Sequence, residues 1–279
     1  MIIIPNTDLF NACLSPALNQ TNADAKQVFF NTRNRFLITN KYLKELEGSV
    51  DDPEIFGSLT LELLDNDQIF NPRIPDTDKY SEFVNISINH GLGNCFPVSV
   101  DEDFENKIPG LIILNKSSKH NSHWIIRELI CRKMFSLKYY DFVNDISVQT
   151  FFKCLLDLFS QSGDIYIFNR YIESNHLSTL KGKSIFYFSY QKNPRDIAEF
   201  IQNKNELKEK LGGKVKFKVT GKSRIIHERK IFAGEIAVTC DNSFGNLTIN
   251  DPNWKVDVEH DPRCLSEWKG KISEFRAYA

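Results

Sequence analysis

At 279 residues the chain is long enough for one large domain or two of ordinary size, each with its own core. Hydrophobic residues at 41% and charged residues at 25% exclude a disordered or fibrous chain. A formal charge of −1 excludes a global basic field, so any contact with nucleic acid must come from a local patch.

In chain order, "MIII" is a β-branched run stopped by Pro5 and predicts a buried strand. "NADAKQVFFNTRNR" and "NKYLKELEGSV" predict helices, the second capped by Thr39 or Asn40 and stopped near Gly48. "DDPEIFGSLTLELLDN" predicts a third helix, and "NPRIPDTD" a loop with capping acids. "KYSEFVNISINHG" carries apolar residues at helical spacing and stops at Gly91. "CFPVSV" predicts a strand that runs into the acidic "DEDFEN", and "GLIIL" a further short apolar strand.

The polar run "NKSSKHNSH" reads as a linker, with two long helices after it, "HWIIRELICRKMFSLKYYDF" and "VQTFFKCLLDLFSQSG". A second series then begins with strands "DIYIFNRYI" and "SIFYFSY" and helix "PRDIAEFIQNKNELKEKLGG". Strands "KVKFKVT", "RIIHERKIFA" and "EIAVTC" complete the series. Short buried strands alternating with helices indicate two α/β domains. The expected division is 1–116, a connecting segment 117–162, and 163–279.

The six cysteines form no CxxC pair, which argues against structural zinc and fits a reducing compartment. The first residues lack a basic signal-peptide region, and no apolar run is long enough to span a bilayer. The expectation is a cytoplasmic protein with no membrane partner.

Open parallel sheets place their sites at the carboxyl ends of strands. Asp8 comes after the first strand, and Asp101, Glu102 and Asp103 come after "PVSV". Glu45 and Glu82 lie on helices. Clustered carboxylates repel, and hard oxygen ligands suit Mg²⁺ or Mn²⁺, which can align a water for phosphodiester cleavage. In the second half, His227 and Arg229 are two apart on a predicted strand and share a face. A nucleophilic His and a cation gripping the same phosphate suit that spacing.

"IIIPNTDLFNACLS", "ITNKYLKELEG", "SEFVNISINHGLG" and "PVSVDEDFENKIPGLIIL", in that order, resemble the PIN-like nuclease family over about residues 1–116. The resemblance implies a parallel sheet, with Asp8, Glu45, Glu82 and Asp101 as metal ligands for Mg²⁺ or Mn²⁺ and Asp103 as a further catalytic acid. Asp78 is an alternative to Glu82. The family's first catalytic Asp falls on Asn6, and Asp8 sits where the family has Asn. Either Asp8 substitutes, or the domain binds metal poorly.

"HERKIFAGEIAVTCDNSFGN" resembles the phospholipase D-like superfamily. His227 matches its nucleophile, and Arg229, with Lys230 beside it, takes the position of its lysine. The family's acid falls on Gly234, next to Glu235, while Ser243 and Asn246 match the later polar element. The resemblance implies phosphate binding by Arg229, Lys230, Ser243 and Asn246. Since one copy of the motif is present, activity would require a homodimer through the C-terminal domain. Together the resemblances imply a nuclease acting on nucleic acid, RNA before DNA, in a bacterial defence or toxin-type system with a protein partner. The alternative is an inactive scaffold, sensor or regulator built from degenerate nuclease folds.

Overall fold

The computed structural model describes all residues except 91–94, 105–106, 117–118, 160–162, 173–176, 178–179, 191–196, 213, 243, 245–246, 252, 262 and 278–279. The chain forms two units, Met1–Lys119 with His123–Lys133, and His120–Ser122 with Met134–Ala279. The segment expected to connect two domains is therefore shared between them, its first helix going to the first unit.

In the first unit, β1 (Ile2–Pro5) leads into α1 (Thr7–Leu14), α2 (Gln20–Phe30), β2 (Arg35–Leu37), α3 (Asn40–Ser49) and α4 (Pro53–Asp65). Then come β3 (Ile69–Phe70), α5 (Tyr80–Asn89), β4 (Cys95–Ser99), β5 (Ile112–Ile113) and α6 (Ser122–Arg132). Helices start at their caps: Asp52 accepts from Ile55 N with Pro53 in the first turn, and Asn19 accepts from Asn22 N. The predicted stop of α5 at Gly91 lies outside the described residues.

The strands form a parallel sheet in the order β3-β2-β1-β4-β5. Ile3, Ile4, Phe36, Leu37 and Val98 are buried in it. Phe29 joins the α-layer to the sheet, stacked on Phe36 at 4.6 Å and against Phe10 at 4.7 Å. Helix α6 is fixed by polar groups: the Asn31 and Asn34 amides donate to Ile130 O at 2.8 and 2.7 Å, and Arg127 pairs with buried Asp24.

The second unit contains β6 (Met134–Lys138), α7 (Asp145–Phe159), β7 (Ile165–Phe168), β8 (Ile185–Tyr190), α8 (Ile197–Leu211) and β9 (Val215–Thr220). β10 (Arg229–Ala233), β11 (Ile236–Cys240), β12 (Lys255–His260), α9 (Cys264–Ile272) and β13 (Arg276–Ala277) complete it. The sheet order is β13-β9-β8-β7-β10-β11-β12-β6. β7, β8 and β9 are parallel, and the other pairings are antiparallel. One face carries an aromatic core. Phe168 stacks on Phe188 at 4.4 Å, and Trp268 of α9 sits 4.9 Å from Phe168 and 5.6 Å from Phe232.

β2, β3, β12 and α9 have no counterpart among the expected elements, and two expected elements change markedly. The helix predicted over 123–142 ends at Arg132, because Lys133 takes a left-handed conformation (φ 63°). Residues 134–138 instead have strand period: Met134, Ser136 and Lys138 are exposed, while Phe135 and Leu137 are buried. The strand predicted over 224–233 starts only at Arg229. Ser223–Ile225 is a 3-10 turn, and the adjacent Ile225 and Ile226 are both buried, which an alternating strand does not allow. Among the described residues, no helix is long and apolar enough to cross a membrane.

Candidate functional site

At the carboxyl ends of β1 and β4, Asn6 is the N-cap of α1 and is buried. Leu9 N donates to Asn6 Oδ1 at 2.9 Å. A backbone N–H can only donate, so this bond assigns the amide: Nδ2 must point the other way. It donates to Asp8 Oδ2 at 3.1 Å and to Ser99 Oγ at 2.9 Å. Ser99 Oγ also accepts from Asp101 N at 2.9 Å, and Asp101 Oδ1 accepts from Asp103 N at 2.9 Å. Asn6, Asp8, Ser99 and Asp101 thus form one hydrogen-bonded group across two strand ends.

Burial raises the carboxyl pKa of Asp8, and the neighbouring charges of Asp101 and Asp51 raise it further. Below it, Tyr42 donates to Pro5 O at 2.6 Å, and Tyr80 donates to Ile4 O at 3.2 Å. Burial pushes both phenols up, so they remain neutral donors.

Other predicted acids lie elsewhere. Glu45 is exposed on α3 and accepts from Ser49 Oγ at 3.2 Å. Glu82 accepts from Thr77 Oγ1 at 3.0 Å and pairs with Lys79 at 3.2 Å; these two partners hold its pKa down. Asp78 pairs with Lys41 at 3.3 Å. Asp103 is exposed beside Asp101. Among the described residues, no three His, Cys, Asp or Glu side chains group so as to hold a metal ion. The expected set of Asp8, Glu45, Glu82 and Asp101 therefore does not fit an Mg²⁺ or Mn²⁺ site as it stands: two of its members are spent on local helix contacts, and an amide faces Asp8. Sequence reasoning did not single out Asp76, which binds Thr39 Oγ1 and Lys41 N at the start of α3; its signal was the acid-rich loop.

In the second unit His227 is exposed and precedes β10, so it does not share a strand face with Arg229. Arg229 Nη1 donates to His227 O at 3.1 Å and to Asp241 O at 2.8 Å. Its guanidinium ties two backbone segments together rather than standing open for a phosphate. Lys230 pairs with Glu228 at 3.1 Å and lies over the Trp268 ring at 4.9 Å. Ser243 and Asn246 lie outside the described residues.

Glu235 sits in the β10–β11 turn, at the opposite end of β10 from His227. It binds buried His260 Nε2 at 2.8 Å, a pairing between residues 25 apart that no spacing rule reveals. Arg170, just beyond β7, lies over the rings of Tyr171 and Tyr190 at 5.8 and 5.7 Å. Four of the thiols are no ready nucleophiles: burial pushes Cys13 and Cys95 up to about 11, and Cys131 and Cys240 up to about 12.

No protein-family model matches the chain, and comparison with curated proteins finds no match. Among solved structures it is similar to Nuc, a phospholipase D family member from Salmonella typhimurium, at 11% identity and a TM-score of 0.39, covering 52% of this chain and 97% of that one. Polyphosphate kinase from Porphyromonas gingivalis matches at 13% identity and a TM-score of 0.34, over 50% of this chain and 26% of that one. TrmBL2, an archaeal chromatin protein described as showing a novel mode of DNA binding, matches at 10% identity and a TM-score of 0.33, over 82% of this chain and 73% of that one. Likeness at this level assigns neither ligand nor reaction.

Proposed function

We propose that the chain is a nucleic-acid-binding protein built from two nuclease-type α/β units, PIN-like and phospholipase D-like, whose first unit does not cleave by a metal-dependent route. The observation that carries this reading is the direction of the Asn6 amide. Where a carboxylate would present two oxygens to a cation, Asn6 presents an N–H donor to Asp8 and Ser99. The group supplies fixed polar atoms at a strand end and one acid with a raised pKa, but no converging set of hard ligands.

A second reading has one observation in its favour. The His227 side chain is exposed and makes no hydrogen bond or ion pair among the described residues, so it is accessible to a phosphodiester. With a second copy supplying a second His227, metal-free hydrolysis is a coherent alternative. Incubating labelled RNA and DNA with the full chain, in EDTA and with added Mn²⁺ or Mg²⁺, separates the two. Binding without cleavage in every condition supports the main reading. Cleavage that needs Mn²⁺ and disappears in Asp101→Asn overturns it. Cleavage that persists in EDTA and disappears in His227→Ala moves the assignment to the second.

A further inference from the structure

We propose that the lysine-bearing face of β9 in the second sheet is a track for single-stranded nucleic acid, with successive phosphates at Lys214, Lys216 and Lys218 and the next in the cleft of Lys222 and Arg276. The inference rests on the nucleic-acid-binding reading above and assigns that binding to a surface.

In "KVKFKVTGK" lysines alternate with apolar residues, so on an extended strand they share one face. Val215 and Phe217 are buried, whereas Lys216 is exposed and Lys218 half-buried. Lysines two residues apart on a strand are separated by about 6.6 Å. That step is comparable with the separation of successive phosphates in an extended nucleic-acid strand. The register sets Lys216 opposite Phe186 and Lys218 opposite Phe188. Lys216 Nζ lies 4.9 Å from the Phe186 centroid and Lys218 Nζ 5.9 Å from that of Phe188, so the rings hold both ammonium groups in place. Phe186 and Tyr166, stacked at 5.1 Å, are half-buried beside the row, and aromatic side chains are the residues on which bases stack.

Beyond the row, Val219, Thr220, Gly221, Lys222, Glu274 and Arg276 line a cleft of about 440 Å³. Its single carboxylate, Glu274, is matched by Lys222 at 2.6 Å, and Arg224 also acts on it. Arg276, on the neighbouring strand opposite Val219, is in surplus. Among the described residues, Lys214, Lys216, Lys218 and Arg276 form no salt bridge. In a chain of net charge −1 this is a local row of cations outside any salt bridge among the described residues, the charge pattern that fits a phosphate backbone.

The test is fluorescence anisotropy of a labelled oligo-dT and an oligo-U with the full chain across a salt series. Replacing Lys214, Lys216 and Lys218 together by Gln is expected to weaken binding tenfold or more at low salt. It should also flatten the slope of log K against log salt by about 2, at roughly 0.7 per lost single-strand phosphate contact. The triple Lys→Arg variant should bind as the parent does, and Arg276→Ala should lose affinity without a change in thermal melt. If the parent binds but the Gln variant keeps its affinity and slope, this surface is overturned while the proposed function stands. If the parent binds no nucleic acid, both fall. Tighter binding of duplex, or competition by inorganic phosphate as effective per phosphate as the oligonucleotide, also overturns the track.

Discussion

The two units furnish their sheets, one parallel and one mixed, in opposite ways. At the carboxyl ends of β1 and β4, polar groups bind one another: Asn6, Asp8, Ser99 and Asp101 are linked, and Tyr42 and Tyr80 bond backbone carbonyls beneath them. On the β7–β9 face, an aromatic core carries cations on its rings, and their charge stays outward. The first arrangement holds its acids inward and is costly to disturb, because buried donors and acceptors left unmatched lose their solvation. The second leaves charge available at little cost in stability, because a lysine resting on a ring is already ordered.

The largest expected effect breaks the second arrangement. Phe168 is fully buried and meets Phe188, Phe232, Trp268 and Phe275, so Phe168→Ala is expected to cost about 3–5 kcal/mol in a urea melt. A loss below about 1 kcal/mol would mean that this face is not the core of the sheet. Next, Asn6→Ala removes the cap of α1, strands Leu9 N and takes one donor from each of Asp8 and Ser99, at an expected cost of about 2–3 kcal/mol. Asn6→Asp keeps the cap but sets a third carboxylate beside Asp8 and Asp101. It is expected to cost about 1–2 kcal/mol at neutral pH and to regain stability with acid. If added Mn²⁺ stabilises Asn6→Asp but not the parent, the single amide accounts for the missing cation site.

Smaller effects sharpen the contrast. Arg229 bonds two carbonyls through one nitrogen, and Arg229→Lys is expected to cost about 1 kcal/mol, read by chemical denaturation. The smallest concerns Asp8. Its folded pKa is raised, so the folded chain holds that proton more tightly than the unfolded one. The contribution is fully present below the ordinary carboxylate value and is lost as pH rises through the raised one. Asp8→Asn, which cannot ionise, is therefore expected to melt above the parent at pH 7, with the gap closing as the pH falls toward 4. A gap independent of pH would show that Asp8 carries no such linkage.

Much of this was legible in the sequence. Short apolar runs marked β1, β4, β7, β8 and β11, and the stretch "DDPEIFGSLTLELLDN" marked α4, because local pattern acts over a few residues. β2 and β3 were missed: at three and two residues they are too short to show a period, and pairing with neighbours defines them. β6 read as helix because it continues the apolar residues of α6 without a proline or glycine between. Of the candidate acids, Asp8 and Asp101 come together because adjacent parallel strands share an end. Glu45 and Glu82 could not be excluded by spacing, since their helix faces are decided by partners such as Ser49, Thr77 and Lys79. His227 was misread as a strand residue because an adjacent apolar pair at the end of a 3-10 turn resembles the start of a strand.

The outer position of β6 also bears on the order of synthesis. This strand pairs with β12, and Ser136 bonds Asp257 across 121 residues of sequence. During translation Phe135 and Leu137 emerge long before the strand that covers one side of them exists. The first unit can close as soon as α6 has emerged, whereas the second cannot complete its sheet until β12 is made. A truncation ahead of Lys255 would leave β6 as an unpaired apolar edge, and the expected product is aggregation rather than a shorter folded protein.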